Sequence, residues 1–219
     1  MATKPLLREL AQRWEALTAA VVAIESVGGV DAAKRVQSGE VFDVVILASD
    51  AIDKLDAAGH LQPGTRVDIA RSAVAAAVPR GAPHPDLSSE DAVRRAVENA
   101  SRIGYSTGPS GVALLQLLDR WGLMQVLGDR IVQAPPGVPV GTLVARGEVA
   151  LGFQQLSELM HLEGVEVVGS LPPPIDIVTT FSAAVCSAAT QPEAAARLLR
   201  FMASPEVADI KRQQGMQPA

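Results

Sequence analysis

The strongest constraint on this chain is an alternation of strand and helix patterns. Phe42-Asp43-Val44-Val45-Ile46-Leu47-Ala48 is an apolar, β-branched run, and a helical pattern from Ala51 to Ala58 follows it across Ser49-Asp50. An apolar run of that kind suits a central parallel strand buried on both faces, and Ser49-Asp50 has the chemistry of a helix N-cap. The same order precedes it: Ala20 to Glu25 reads as a strand, Ser26-Val27-Gly28-Gly29 as a turn, and Ala32 to Gln37 as a helix. Strands that alternate with helices specify an α/β sheet with crossover connections.

The alternation is interrupted once and then restarts. Val67 to Val78 reads as extended and ends at Pro79-Arg80-Gly81-Ala82-Pro83-His84-Pro85, where three prolines exclude a helix and mark a connector. Ser88-Ser89-Glu90-Asp91 then caps a helix to about Ala100, Arg102 to Ser106 is a strand, and Thr107 to Gly111 is a loop feeding the helix Val112 to Trp121. Strand Arg130 to Ala134, helix Val140 to Ala145, strand Ala150 to Gln154, helix Leu156 to Leu162 and strand Val165 to Leu171 complete this part. After Pro172-Pro173-Pro174 an extended run, Ile177 to Val185, leads to helices Pro192 to Ala203 and Pro205 to about Gln214. Two lobes are expected, 1–76 plus 180–219 and 77–179. An internal echo supports them: Val36-Gln37-Ser38-Gly39-Glu40-Val41 and Val144-Ala145-Arg146-Gly147-Glu148-Val149 each end a helix with glycine and launch a strand. The plain alternative is that such joints are common in α/β proteins.

At the start, Leu6, Leu7, Leu10 and Trp14 fall at helix spacing, with Pro5 suited to a first turn. No basic-then-apolar segment precedes them. Two expectations follow: the protein stays in the cytoplasm, or a leader and a first strand lie upstream of Met1.

Composition removes several function classes. A length of 219 residues, with 48% hydrophobic and 20% charged, excludes disorder. Every apolar run is interrupted well short of the roughly 18 residues a membrane helix needs, so no membrane insertion is expected. A net charge of −5 lacks the basic face that nucleic acid requires. The lone Cys186 can form neither an internal disulfide nor a thiolate zinc site, and it reads as a small buried hydrophobe. His60, His84 and His161 have no metal-ligand spacing, so no metal is expected. Phosphate-loop, dinucleotide and Gly-x-Ser-x-Gly patterns are absent, so no cofactor is expected.

What remains is a set of small, hydroxyl-bearing loops where strands hand over to helices: Ser26 with Gly28 and Gly29, Ser49 with Asp50, and Thr107 with Ser110 and Gly111. Ligands of open α/β sheets sit at this edge, and each loop opens a helix whose free N–H groups and dipole favour an anion. Singly, each serine is better explained as an ordinary N-cap, and it is the loops taken together that point to a ligand. With seven aromatic residues the chain has little means of recognition by ring stacking, so neutral hydrogen-bond donors are the expected recognition chemistry.

A set of motifs carries a resemblance. Leu6-Leu7-x-x-Leu10-Ala11, Gly28-Gly29, Gly39-Glu40-x-x-Asp43-Val44-Val45-Ile46-Leu47, Gly104-Tyr105-Ser106 with Ser110-Gly111, Ala145-Arg146-Gly147-Glu148-x-x-Leu151-Gly152, and Pro192-Glu193-Ala194-Ala195 with Phe201-Met202-x-Ser204-Pro205-Glu206 occur in this order. The order resembles the molybdate-binding-protein-like solute-binding proteins of ABC transporters, of the type II periplasmic binding fold. The resemblance implies an α/β fold of two lobes joined by two crossover strands with a ligand cleft between them, a small anionic ligand (a molybdate-like oxyanion or short carboxylate), an ABC permease partner and a periplasmic location. By position it assigns ligand contacts to Ser26, Gly28, Gly29, Ser49, Asp50, Thr107, Ser110 and Gly111, with Gln154 and Gln155 supplying amide donors. Val27 and Val30 stand where the family often has hydroxyl residues. Two alternatives share the fold: a cytoplasmic enzyme on a small carboxylate, with Asp50 or Glu158 moving the proton, and a ligand-sensing regulatory domain.

Overall fold

Leu6, Leu7, Leu10 and Ala11 bury one stripe of the first helix, α1 (Lys4–Thr18), which has Pro5 in its first turn. The computed structural model describes residues 2–219. By internal contacts the chain divides into two units, Met1–Ser72 with Thr180–Ala219 and Ala73–Thr179. After α1 come α2 (Gly29–Gln37), β1 (Val44–Ala48) and α3 (Ser49–Ala57), and β2 (Val67–Pro79) then carries the chain from the first unit into the second. There α4 (Glu90–Asn99), β3 (Ile103–Tyr105), α5 (Pro109–Arg120), α6 (Met124–Leu127), β4 (Ile131–Gln133), α7 (Val140–Ala145), β5 (Leu151–Gln155), α8 (Leu156–Leu159) and β6 (Val165–Ser170) follow. The strand β7 (Val178–Val185) returns the chain to the first unit, which ends with α9 (Pro192–Ala203), α10 (Ala208–Gln213) and β8 (Gln217–Pro218).

In the first unit, Leu6, Leu10, Ile69, Val185, Leu199 and Met202 form one core. Val36, Leu47, Ile52, Leu55, Leu61 and Cys186 form another, under α2 and α3. Asp43 ties the returning chain to β1, because its carboxylate accepts from the backbone N–H groups of Thr190 and Gln191 at 2.8 and 2.9 Å, just ahead of α9. In the second unit β5 and β4 flank β3 in parallel, while β5 and β6 both pair antiparallel with the second half of β2. Phe153 and Leu118 anchor the core on one side, and Val140, Val144 and Leu159 that on the other. Both echoed joints end in a left-handed glycine, Gly39 at φ 82° and Gly147 at φ 69°, the conformation a residue without Cβ adopts at least cost.

Five local expectations need correction. The strand expected over Ala20–Glu25 is absent: the segment joins no ladder, Val21 is 91% exposed, and the Val22 N–H donates to the Glu15 carboxylate at 2.7 Å instead of to a neighbouring strand. Its β-branched residues favour extended backbone, but a strand needs a partner. β1 is antiparallel to its partner β7, with Val44 opposite Val185 and Ala48 opposite Phe181, so its apolar run does not mark a parallel setting. Ser49 is the first residue of α3 and not its cap, and α5 starts at Pro109, so Ser110 and Gly111 lie in its first turn and not in a loop. The final helix begins as a short 3-10 turn, Pro205–Val207, before α10.

Leu10 and Ile52 are fully buried in the two first-unit cores. Truncating either to alanine is expected to cost about 2–5 kcal/mol, read as a lower urea midpoint at unchanged slope.

Candidate functional site

A helix start leaves amide protons without intrahelical acceptors, and a side-chain cap normally takes one of them. α4 shows the ordinary case: Ser89 accepts from the Ala92 N–H at 3.2 Å. No such cap is found at α1, α2, α3 or α5, whose cap positions are Thr3, Gly28, Ala48 and Gly108. Thus none of Ser26, Ser49 and Ser110 caps the helix it stands beside.

Charge separates these four starts. Asp31 lies in the first turn of α2 and Asp50 in that of α3, whereas α1 and α5 carry no acid in their first turns. At α2 the acid is close, since the Asp31 Oδ2 would lie 3.5 Å from a Cβ built on Gly28. A carboxylate there already answers the positive helix end and repels a second anion.

The α5 start is the most developed of the expected positions. Ser110 is 6% exposed, and its hydroxyl shares a hydrogen bond with that of Ser106 at 3.0 Å. Thr107 lies exposed in the bend before the helix. Gly111 has a packing reason to be glycine: a Cβ there would stand 1.8 Å from the Ser106 carbonyl oxygen. Ser106 therefore sets the Ser110 hydroxyl and the close approach of the helix to its entry strand. The sequence pattern Gly104-Tyr105-Ser106 was the available signal for it.

The two glutamines are buried and already hydrogen-bonded. The Gln154 Oε1 accepts from the N–H groups of Val140 and Gly141 at 2.7 and 3.4 Å, acting as a remote cap for α7. The Gln155 Nε2 donates to the Thr179 hydroxyl at 2.7 Å, while its Oε1 and the hydroxyl of Ser157 are buried with no partner. Gln155 thus spends an amide donor expected for the ligand on Thr179.

Lys4, Arg8 and Gln12 were missed by a reading centred on neutral loops. With Ala11, Glu15, Val22, Ile24 and Ser26 they line a cavity of about 440 Å³ within the first unit. Their i, i+4, i+8 spacing on α1 was visible in the sequence. The nearness of Ser26 to that stripe was not.

Among the described residues no cluster of histidine, cysteine and acidic side chains could hold a metal, and no helix is long and apolar enough to cross a membrane. Cys186 is buried, and burial, with Asp43 nearby, pushes its thiol up to about 11.

The profile of the bacterial extracellular solute-binding protein family matches residues 1–217. This chain belongs to that family. As a family member it is a solute-binding protein, and it shares the fold of solved periplasmic binding proteins. It is similar in structure to the periplasmic molybdate-binding protein of Azotobacter vinelandii, with a TM-score of 0.80 at 23% identity, covering 98% of this chain and 95% of that one. A Geobacter sulfurreducens structure titled as a tungstate ABC transporter gives a TM-score of 0.74 at 17% identity, over 95% and 92% of the two chains. In sequence it is 38% identical over 219 residues to a Pseudomonas sp. protein named aconitate isomerase, covering 97% of this chain and 83% of that one.

Three outcomes follow from the geometry. Gln154→Leu leaves two buried N–H groups without an acceptor and should cost about 1–3 kcal/mol in denaturant unfolding. Gly111→Ala forces the Ser106 backbone aside, and a comparable loss, of about 1–3 kcal/mol, is expected from overpacking. With a thiol held protonated and buried, native protein should not react with an aromatic disulfide reagent at pH 8, and Cys186 should titrate only on unfolding.

Proposed function

We propose that this solute-binding protein captures a small carboxylate anion and presents it to an ABC permease outside the cytoplasm. The observation that carries the reading is the start of α5: an uncapped helix of 12 residues with no acid in its first turn and a buried serine hydroxyl beside it. Backbone N–H groups and hydroxyls at such a start supply hydrogen bonds to an anion without a countercharge of their own. Thr107, in the bend before that helix, is proposed as a further neutral contact. The choice of carboxylate over metal oxyanion rests on relatedness: the relative named for aconitate is 38% identical, while the molybdate- and tungstate-named structures are 23% and 17% identical.

Ligand binding stabilises the folded state by RT ln(1 + [L]/Kd), about 2.7 kcal/mol at a hundredfold excess over Kd. A melting screen with mono-, di- and tricarboxylates and with molybdate should therefore show a dose-dependent rise for carboxylates. Ser110→Ala should weaken that ligand about tenfold, as loss of one hydrogen bond to a charged group predicts. No shift with any carboxylate at millimolar concentration overturns the reading.

The same relative favours one second reading, an isomerase acting on a carboxylate. Asp50 and Glu158, the carboxylates first considered as proton carriers, lie in the first turns of α3 and α8. Incubation with aconitate, followed by proton NMR, decides it: interconversion of the isomers that Asp50→Asn or Glu158→Gln abolishes would establish the enzyme.

A further inference from the structure

β3 and β5 are parallel neighbours, with Ile103 beside Leu151 and Tyr105 beside Phe153, so both strands run out at the same edge within the second unit. β3 leaves through Ser106 toward the start of α5, and β5 ends at Gln155. Alternation along β5 fixes the face on which Gln155 stands. Leu151 and Phe153 share a core with Leu114, Leu117 and Leu118 of α5, whereas Gln154 turns to the opposite face and meets α7. Gln155 therefore stands with Leu151 and Phe153 on the face that α5 covers, at the edge where α5 begins.

Gln155 is 4% exposed. Its Nε2 donates to the Thr179 hydroxyl at 2.7 Å, which holds the amide in place and leaves the buried Oε1 without a donor. Two residues on, the Ser157 hydroxyl is 5% exposed and unpartnered as well. A buried acceptor left unpaired is costly, and a group that brings a donor to it recovers what is otherwise lost. The helix start and the amide ask for different chemistry: the N–H groups of α5 receive negative charge, and the Gln155 Oε1 receives a hydrogen-bond donor. A ligand that meets both carries a carboxylate and, beside it, an O–H or N–H. The positive end of α5 disfavours an ammonium, so the donor that fits is a neutral hydroxyl.

We propose that Gln155 is a specificity residue that reads a hydroxyl group on the carboxylate ligand, so that the site prefers hydroxy acids to the same acids without the hydroxyl. The inference rests on the carboxylate reading of the α5 start and deepens it. A site built to hydrogen-bond a ligand hydroxyl rejects the analogue that lacks it, because the site's own buried group is then left unpaired.

Isothermal titration of the full chain with matched pairs tests this: lactate against propionate, malate against succinate, and citrate against tricarballylate, with aspartate as the ammonium counterpart of malate. In the pair that binds best, wild type should hold the hydroxy acid about tenfold or more tightly than its partner. It should also hold malate more tightly than aspartate. In Gln155→Leu the ratio within the pair should fall to about threefold or less. Gln155→Met, close to glutamine in volume, should do the same and serves where leucine disturbs the fold. A general loss of structure weakens both acids of a pair and leaves their ratio unmoved, so the ratio isolates the hydroxyl contact. The control Gln116→Leu, at an exposed position further along α5, should keep the wild-type ratio. Equal wild-type affinities within every pair, a ratio retained in both Gln155 variants, or an equal fall in the control overturns the Gln155 assignment and leaves the carboxylate reading intact. Tighter binding of aspartate than of malate overturns the choice of a hydroxyl. Failure of wild type to bind any of these acids overturns the carboxylate reading, and the inference falls with it.

Discussion

An amide proton at the start of a helix must find an acceptor, and among the described α-helices only α4 receives one from the side chain of its cap residue. Side chains serve three helix entries: Ser89 at α4, Asp43 in the turn into α9, and Gln154, which reaches across to α7. The contrast matters because the same chemistry is available throughout. Serines stand beside three of the open starts and cap none of them.

Charge then grades the open starts. Asp31 and Asp50 partly answer α2 and α3 from within, whereas α1 and α5 have no acid in their first turns. α5 is the neutral version, rigid through the Ser106–Ser110 pair and the tight approach at Gly111. α1 carries Lys4 in its first turn and Arg8 one turn on, both exposed.

Much of the framework was legible in the sequence. α1, α4, α7 and α9, strands β1 to β6 and the glycine-closed joints follow from apolar spacing, prolines and caps, because those signals act over a few residues. Failures occurred where the outcome depends on a distant partner. Ala20–Glu25 has strand composition and no ladder, and β1 has the composition of a parallel strand and an antiparallel neighbour from more than a hundred residues away. The site was legible in part for the same reason. Hydroxyl and glycine loops can be read locally, whereas the Gln154 cap and the meeting of Lys4, Arg8 and Ser26 depend on segments folding together.

By itself, then, the sequence determined the strand–helix order, the family motifs and the small neutral residues at the helix entries, since backbone propensity and capping chemistry are properties of neighbouring residues. Tertiary structure alone decided which helix starts stay open, which glutamines are consumed internally and which cations line a cavity. Those outcomes depend on which groups come within about 3 Å of one another, and packing, not local pattern, settles that distance.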